Sequence, residues 1–551
     1  MPVIEFVNEN IKKEVEEGVT IAQAARMANV YLETPCNESG TCGKCKVKVD
    51  CLSEVAAKKV LEDGSLLACQ TKILGNIRVE TLASARDNDS LKILSEGEGR
   101  AVEIDLPVTK QQDGDRTAIC RQAKVVGYED GDTMDQLFGV TVDIGTTTIV
   151  SALIDMREGR EVDTVSAMNP QCVYAQDVVS RIQYTSEHED GLVTLFGKVR
   201  DCINQMVQDL CQANGIRADR IYEIVYSGNT TMMHLATNTD PYSLGQYPYT
   251  SKLKGGECFP AGDCGIDISD CGEVYLPPII SSYVGADITS GVLSCQLDKL
   301  TGSTLFIDIG TNGEMIMAKD GQLTATSTAA GPAFEGMNIT FGMRAGTGAV
   351  ESFEIDEDGE IHAHVIGDSK AKGICGSGLF DIVGELVRTG LIKKDGRFVK
   401  QDRAHVPDKL RDRLVRYEGK PAFLVADDVY LTQLDIRQIQ LAKSAIRAGV
   451  EAMMGLNEVK EDQVDRVLIA GSFGYHLKTD SLIHVGILPK EMEEKIAFVG
   501  NTSKTGGTAF LLNKSYRQQM ADIVTRIRPL ELSTYHGFEE LFIKYMSFDK
   551  F

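Results

Sequence analysis

Long apolar runs are missing from this 551-residue chain: nothing approaches the roughly 18 consecutive apolar residues that a helix needs to cross a bilayer. The opening segment, Met1 to Gly18, also lacks the basic-then-apolar order of a secretory leader. Both absences predict a cytoplasmic protein. Positive charge is scarce as well. Lys+Arg 57 against Asp+Glu 80 gives a formal net charge of −23, which argues against a sequence-independent grip on nucleic acid or on an anionic membrane. No Gly-x4-Gly-Lys-Ser/Thr occurs, so a P-loop nucleotide site is excluded. Core-forming residues, by contrast, are plentiful. At 43% hydrophobic and 25% charged the composition is that of a globular protein, and the length predicts about three or four folding units.

Cysteine is present but uneven. The chain has 14, and in a reducing compartment a tight group of them reads as metal-binding or redox-active before it reads as a disulfide. Cys36, Cys42 and Cys45 fall in one short segment, and Cys69 follows in Leu66-Leu67-Ala68-Cys69. A Cys-x5-Cys-x2-Cys…Cys spacing lets one loop wrap a cluster with three thiolates while a distant strand brings the fourth. Plant-type [2Fe–2S] sites use Cys-x4-Cys-x2-Cys…Cys. Gly40 and Gly43 let the loop turn tightly, with its N–H groups toward the sulfurs. A structural zinc site usually shows two Cys-x2-Cys knuckles, and here there is one. Cys51 is near enough to substitute for a ligand and is read as a bystander in or beside the strand Lys46–Asp50. The scattered cysteines, Cys375 among them, read as small buried hydrophobes.

Residues 1–85 mix short strands (Val3–Phe6, Lys46–Asp50, Ile77–Glu80) with one helix (Ile21–Ala28), which suits a small α+β unit. Residues 86–138 read as a polar linker and a short middle segment, with a strand or two in 101–135. From Gly139 onward strands and amphipathic helices alternate, the mark of an α/β architecture. Inside that part lies a repeat. Val140-Thr-Val-Asp-Ile-Gly-Thr-Thr-Thr148 recurs as Leu305-Phe-Ile-Asp-Ile-Gly-Thr-Asn-Gly313, which predicts two related lobes, about 139–300 and 301–551. A strand follows each copy, so each is the tip of a β-hairpin and not a strand-to-helix phosphate loop.

In such hairpins the N–H groups of the turn and the hydroxyls of Thr146, Thr147, Thr148 and Thr311 can surround phosphate oxygens. Gly145, Gly310 and Gly313 permit close approach of the backbone, and Asn312 shares the second turn. Asp143 and Asp308 are then set to hold Mg²⁺ through water. A third segment, Val467-Leu-Ile-Ala-Gly471-Ser472-Phe-Gly474, ends a hydrophobic strand in small residues, leaving a slot for an adenine ring or ribose. Asp287 is a candidate to orient a water, as is Asp177, and each reads equally well as a surface carboxylate. Asn229 or Thr230 can cap a helix, and Gly373-Ile-Cys-Gly-Ser-Gly378 opens an amphipathic one whose first N–H groups meet either a cap or an anion. His234 and His476 read as packed or solvated.

The cysteine loop resembles the β-grasp, plant-type ferredoxin family, with one extra residue between the first two cysteines. The hairpin pair and the glycine-rich strand end resemble the phosphate-1, phosphate-2 and adenosine motifs of the superfamily of acetate and sugar kinases, the heat-shock chaperone ATPase and actin. That resemblance implies an actin-like, ribonuclease H-like fold of two lobes with ATP in the cleft between them. With Asn169-Pro-Gln171, Gly228-Asn-Thr-Thr231, Gly331-Pro-Ala-Phe-Glu-Gly336 and Gly373–Gly378 added, nearly the whole chain resembles the reductive activators of corrinoid proteins. For this chain the resemblance implies a [2Fe–2S] cluster on Cys36, Cys42, Cys45 and Cys69, and ATP with Mg²⁺ in the cleft. It implies ATP-supported reduction of Co(II) to Co(I) on a corrinoid protein of a methyltransferase system in an anaerobe. A low-potential donor such as a ferredoxin and a homodimer through the ATPase part belong to the same expectation. Two other readings stay open: an activator of another low-potential enzyme, similar to those of 2-hydroxyacyl-CoA dehydratases, and a redox-sensing kinase or binding module.

Overall fold

The computed structural model describes residues 1–32, 34, 38, 40, 43–58, 60–61, 63–82, 102–404, 406–471 and 477–548. The expected cluster ligands Cys36 and Cys42, the expected nucleotide residues Ser472 and Gly474, and His476 lie outside them.

The N-terminal unit runs β1 (Val3–Phe6), β2 (Ile11–Glu14), α1 (Ile21–Met27), β3 (Lys46–Val49), β4 (Val55–Ala57), β5 (Leu66–Leu67), β6 (Thr71–Ile73) and β7 (Ile77–Thr81). Its main sheet has the order β2-β1-β7-β3-β5, parallel at β1–β7 and antiparallel elsewhere. In β7 Ile77, Val79 and Thr81 are buried while Arg78 and Glu80 are exposed, the alternation of a sheet with one wet face. Helix α1 starts where Thr20 and Gln23 cap each other's backbone. Its Ile21, Ala24 and Ala25 pack with Phe6, Val47 and Val79.

Next come β8 (Val108–Asp113), β9 (Arg116–Arg121) and β10 (Lys124–Asp130), an antiparallel meander of three strands in the segment read as a linker with a strand or two. Buried charge fastens it to the following lobe. Glu129 accepts from Lys110 Nζ at 2.7 Å and from Arg220 Nη1 at 2.8 Å, and Arg121 Nη1 donates to Glu223 at 3.0 Å.

Lobe one holds β11 (Phe138–Ile144), β12 (Thr148–Asp155), β13 (Arg160–Met168), α2 (Val178–Glu187), α3 (Gly191–Asn214), β14 (Ile221–Ser227), α4 (Thr230–Ala236), β15 (Glu257–Pro260), β16 (Glu273–Leu276) and α5 (Ala286–Cys295). Lobe two holds β17 (Ser303–Ile309), β18 (Gly313–Lys319), β19 (Gln322–Thr328), β20 (Ala349–Ile355), β21 (Ile361–Val365), β22 (Gly373–Ile374), α6 (Gly376–Arg388), α7 (Asp408–Arg411), β23 (Leu414–Tyr417), β24 (Lys420–Ala426), β25 (Val429–Thr432), α8 (Gln433–Leu456), β26 (Arg466–Ala470), α9 (Thr479–Val485), β27 (Ile496–Gly500), α10 (Thr502–Leu512), α11 (Ser515–Val524), β28 (Arg528–Pro529) and α12 (Phe538–Tyr545).

The two large sheets repeat one another. In β13-β12-β11-β14-β16 and in β19-β18-β17-β26-β27 the pairings run antiparallel, antiparallel, parallel, parallel. Central strands such as β14 are buried along their whole length, as parallel strands covered on both faces must be. Helices α5 and α10 follow the repeat-related strands β16 and β27 and pack on each other between the lobes. A Cβ on Gly506 of α10 would collide with Ser290 O of α5, so glycine sets how closely the two helices approach. Val225, Ile288, Val292, Phe306, Ile316 and Phe510 form one core across this junction. Among the described residues no helix is long and apolar enough to cross a membrane.

Candidate functional site

Each repeat motif folds as a hairpin tip. Ile144 pairs with Ile149 and Ile309 with Gly313, which leaves Gly145–Thr148 and Gly310–Asn312 as the tight connections. The tips face each other across the cleft, where Thr147 Oγ1 stands 3.5 Å from Thr311 Oγ1. Both are braced from behind. The Asn169 side chain donates to Gly145 O at 2.8 Å, Asn169 N donates to Thr147 O at 2.9 Å, and the fully buried Arg181 donates to Thr146 O at 2.5 Å. In hairpin two, Thr311 Oγ1 donates to Glu335 at 2.6 Å. With the carbonyls of the first tip engaged, its N–H groups are left for an anion.

Asp143, Gly145, Thr146, Thr147, Thr148, Asp287, Asp308, Gly310, Thr311, Asn312 and Gly471 all line this cleft. Gly471 ends β26 at φ +118°, and a Cβ there would stand 2.5 Å from Ile309 O. Gly228 ends the repeat-related strand β14 in the same way, 2.7 Å from Ile144 O on the same test. Gly313 sits beside the cleft instead; a Cβ on it would come within 3.0 Å of Ile446, so it is needed for packing against α8. Asp177 does not line the cleft either. It caps α2, accepting from Ser180 N at 2.7 Å. Asn229 caps α4 and also reaches the site, donating to Thr146 Oγ1 at 3.1 Å. His234 is buried, with Nδ1 2.7 Å from Thr230 O, and burial pulls its pKa down. Cys375 is buried against Val350 O.

Among the polar residues that line the cleft, Glu314, Asn501 and Ser503 belong to no motif read above, and Glu335 lies in the Gly331–Gly336 signature without a role having been read for it. Glu314 is the residue paired with Asp308 across the second hairpin. It follows directly on Gly313, and its signal was a carboxylate inside an otherwise apolar strand. Asn501 follows β27 and caps α10, and its Nδ2 donates to Asp143 Oδ2 at 2.8 Å. In the repeat it corresponds to the start of α5, where Asp287 stands.

The electrostatics of the cleft are those of crowded, buried carboxylates, with Lys504 acting on Asp143 as a minor opposing charge. Burial raises the Asp143 pKa to about 6, against the pull of the Asn501 hydrogen bond. Burial and then the nearby Asp143 raise Asp287 to about 7. Asp308 rises to about 8 through burial, Asp287 and Asp143 in that order. Glu314 is pushed well above its ordinary value by burial and then by Asp287 and Asp308. Among the described residues no Lys or Arg lines the cleft; Lys504 is engaged with Glu161 at 2.8 Å. Such a set favours a bound cation. No three described Asp, Glu, His or Cys side chains converge as direct ligands of one ion, so these hard oxygen donors fit Mg²⁺ that keeps several of its waters.

In the N-terminal unit Cys45 and Cys69 are buried with their sulfurs 3.3 Å apart, well beyond the ~2.05 Å of a disulfide. Cys45 immediately precedes β3, and Cys69 lies in the helical turn between β5 and β6. Gln70 Nε2 donates to Glu38 O at 2.7 Å and stands 3.7 Å from Cys69 Sγ, so an amide flanks the sulfurs. Two adjacent buried thiols fit a shared iron centre. Cys51 instead contacts Ser53, 3.1 Å away.

A β-grasp unit with paired cysteines, followed by a doubled α/β fold with facing phosphate hairpins, defines a ferredoxin domain joined to an actin-like ATPase. Comparison with known families agrees. Residues 6–74 match the 2Fe-2S iron-sulfur cluster binding domain, residues 138–300 the RACo middle region, and residues 302–550 the C-terminal domain of RACo, the ASKHA domain. The corrinoid activation enzyme RamQ of Eubacterium limosum is 34% identical over 424 residues, 74% of this chain and 70% of that protein. The [Co(II) methylated amine-specific corrinoid protein] reductase of Methanosarcina barkeri is 23% identical over 447 residues, 75% of this chain and 77% of that protein. Among solved structures, a reductive activator for corrinoid, iron-sulfur protein superposes with a TM-score of 0.75 at 29% identity, covering 100% of this chain and 98% of that one. The chain belongs to the family of reductive activators of corrinoid proteins. A [2Fe–2S] cluster and ATP are therefore its cofactors.

Proposed function

We propose that this chain uses ATP hydrolysis to drive one-electron reduction of Co(II) to Co(I) on a corrinoid protein of a methyltransferase system. The observation that carries the reading is the presence in one chain of two buried, adjacent cysteine sulfurs and of facing phosphate hairpins over a buried carboxylate cluster. When bound, the [2Fe–2S] cluster supplies a one-electron carrier, which as a plant-type class sits near −400 mV. About 59 mV of uphill one-electron transfer corresponds to roughly 1.4 kcal/mol, so a gap of about 250 mV needs near 6 kcal/mol, a cost that ATP can cover.

The chain's own residues divide the work. Thr146, Thr147, Thr148 and Thr311 hold the phosphates. Asp143 and Asp308 hold the hydration shell of Mg²⁺, with Asn501 fixing the Asp143 carboxylate. Asp287, at the start of α5, orients the attacking water and accepts its proton, and a carboxyl raised to about 7 is matched to that task near neutral pH. Gly471 admits the adenosine side of the nucleotide. Cys45 and Cys69 are two cluster ligands, and Cys36 and Cys42 complete the set.

The reading extends to a low-potential ferredoxin-type donor, a homodimer through the ATPase part and a cytoplasmic setting. It is tested by ATP hydrolysis measured with and without a Co(II) corrinoid protein. Turnover should rise with that partner and vanish in Asp143→Ala or Asp308→Ala while the visible spectrum of the cluster persists. Full hydrolysis in both variants would refute the site.

A further inference from the structure

The cysteine segment carries one residue more between Cys36 and Cys42 than the plant-type spacing does. Within it, Glu38 and Gly40 both take left-handed backbone, at φ +62° and +78°. A left-handed glutamate is uncommon and has to be held by its surroundings. Two side chains from outside the segment meet it. Arg26 of α1 pairs with the Glu38 carboxylate, so the one acidic charge between Cys36 and Cys42 is compensated. Gln70, at the end of the helical turn between β5 and β6, donates from Nε2 to the Glu38 carbonyl at 2.7 Å.

The same amide faces the cysteine sulfurs. Gln70 Nε2 stands 3.7 Å from Cys69 Sγ, which is 3.3 Å from Cys45 Sγ. The Glu38 carbonyl can only accept, which fixes the nitrogen of the amide on this side, and an NH₂ group carries two hydrogens. One serves Glu38 O and the other is within reach of the sulfur. The segment lies directly on the amide: a Cβ on Gly40 would stand 2.8 Å from Gln70 Cγ and 2.9 Å from Cδ. Cys45 is fixed from the opposite side, since Ala68 N donates to Cys45 O at 2.8 Å and Lys46 pairs with Leu67. Sulfurs, carbonyl and amide thus form one packed corner in which a donor points at the thiolates.

We infer that Gln70 is a positioning residue that sets the reduction potential of the cluster held by Cys45 and Cys69. Reduction adds a negative charge that spreads onto the ligand sulfurs, and a hydrogen bond to such a sulfur favours the more charged state. The Gln70 amide therefore raises the potential. The site fills more readily from its donor, and the step that remains toward Co(II) is steeper, which is the step that ATP supports. This rests on the reading of Cys69 as a ligand and adds the group that tunes it.

The test is a redox titration of the cluster-loaded full chain, followed by visible and EPR spectroscopy, for the wild type, Gln70→Met and Gln70→Glu. At a fixed ambient potential the ratio of reduced to oxidised cluster should fall about tenfold in Gln70→Met, the scale of one lost hydrogen bond, equivalent to about 59 mV for a one-electron couple. It should fall at least as far in Gln70→Glu, where an acceptor replaces the donor. Hyperfine spectroscopy of the reduced wild-type protein, labelled with ¹⁵N in its glutamine side chains, should show a nitrogen coupled to the unpaired electron and lost in Gln70→Met. Should neither variant hold iron, the wild-type coupling decides alone. A wild-type or higher potential in either variant, or no coupled glutamine nitrogen in the wild type, overturns the assignment of Gln70 and leaves the ligand reading standing. Cys69→Ser with an unchanged spectrum and potential overturns both.

Discussion

Replacing Asp308 by Asn should stabilise the nucleotide-free protein while ending ATP hydrolysis. Asp308 shares the cleft with Asp143, Asp287 and Glu314, and burial followed by repulsion from Asp287 and Asp143 raises its carboxyl from 3.8 to about 8. The unfolded chain ionises this group near 3.8 and the folded site keeps the proton to about 8. Between those values the folded state binds more protons, so the stability contributed by this group is complete below about 4 and is lost as pH rises toward 8. At about 1.4 kcal/mol per pH unit the strain at pH 7 is on the order of 2–4 kcal/mol, shared with its neighbours. A neutral amide of the same shape removes it. Calorimetric melting without nucleotide or divalent ions should place the variant several degrees above the wild type at pH 7.5 and close to it at pH 5. Millimolar Mg²⁺ should raise the wild-type melting temperature and leave that of the variant nearly unchanged. An equal gap at both pH values, or a variant less stable at pH 7.5, would refute the reasoning.

Cys69→Ser should lose the visible absorption of the cluster while the chain still hydrolyses ATP; loss of both activities together would count against separable sites. Glu223→Ala strands Arg517, which reaches it in the buried strand β14, while Arg121 keeps Glu273 at 3.0 Å, and should cost about 3 kcal/mol in denaturant unfolding, as removal of one partner of a buried ion pair does. A loss below about 1 kcal/mol would show that Arg517 is rehydrated. Gly471→Ala places a methyl 2.5 Å from Ile309 O at φ +118°, so ATP affinity measured by calorimetry should fall at least tenfold. Thr311→Val removes the hydroxyl that joins Glu335 to the opposite hairpin and should raise the KM for ATP about tenfold, with cluster content unaffected.

The doubled hairpin was readable because the chemistry of a phosphate turn demands small and hydroxyl residues at fixed offsets from an aspartate, and because the same offsets occur twice. Lobe topology followed from that repeat. Glu314 and Asn501 were harder to see, since each reaches the cleft through the register of a strand or the cap of a helix and belongs to no spaced motif. Glu314 is adjacent to Asp308 only because the hairpin pairs them. Asp177 illustrates the reverse: it read equally as a cleft residue and as a surface carboxylate, and a serine three residues on made it a cap. The meander β8–β10 was read only as a strand or two because its strands are rich in charge, and it is tied to lobe one through Glu129 and Arg121. The contact of Lys44 Nζ with Gly342 O could not be read at all, the two residues being remote in sequence.

The central claim is that ATP makes an unfavourable electron transfer proceed. Its most direct test mixes the cluster-loaded protein anaerobically with a Co(II) corrinoid protein and a low-potential reductant, and follows the Co(II) absorption band before and after ATP is added. The account predicts that the band persists without ATP and decays once ATP and Mg²⁺ are present. Equal decay with and without ATP, or a band that never decays although ATP is being hydrolysed, would contradict it.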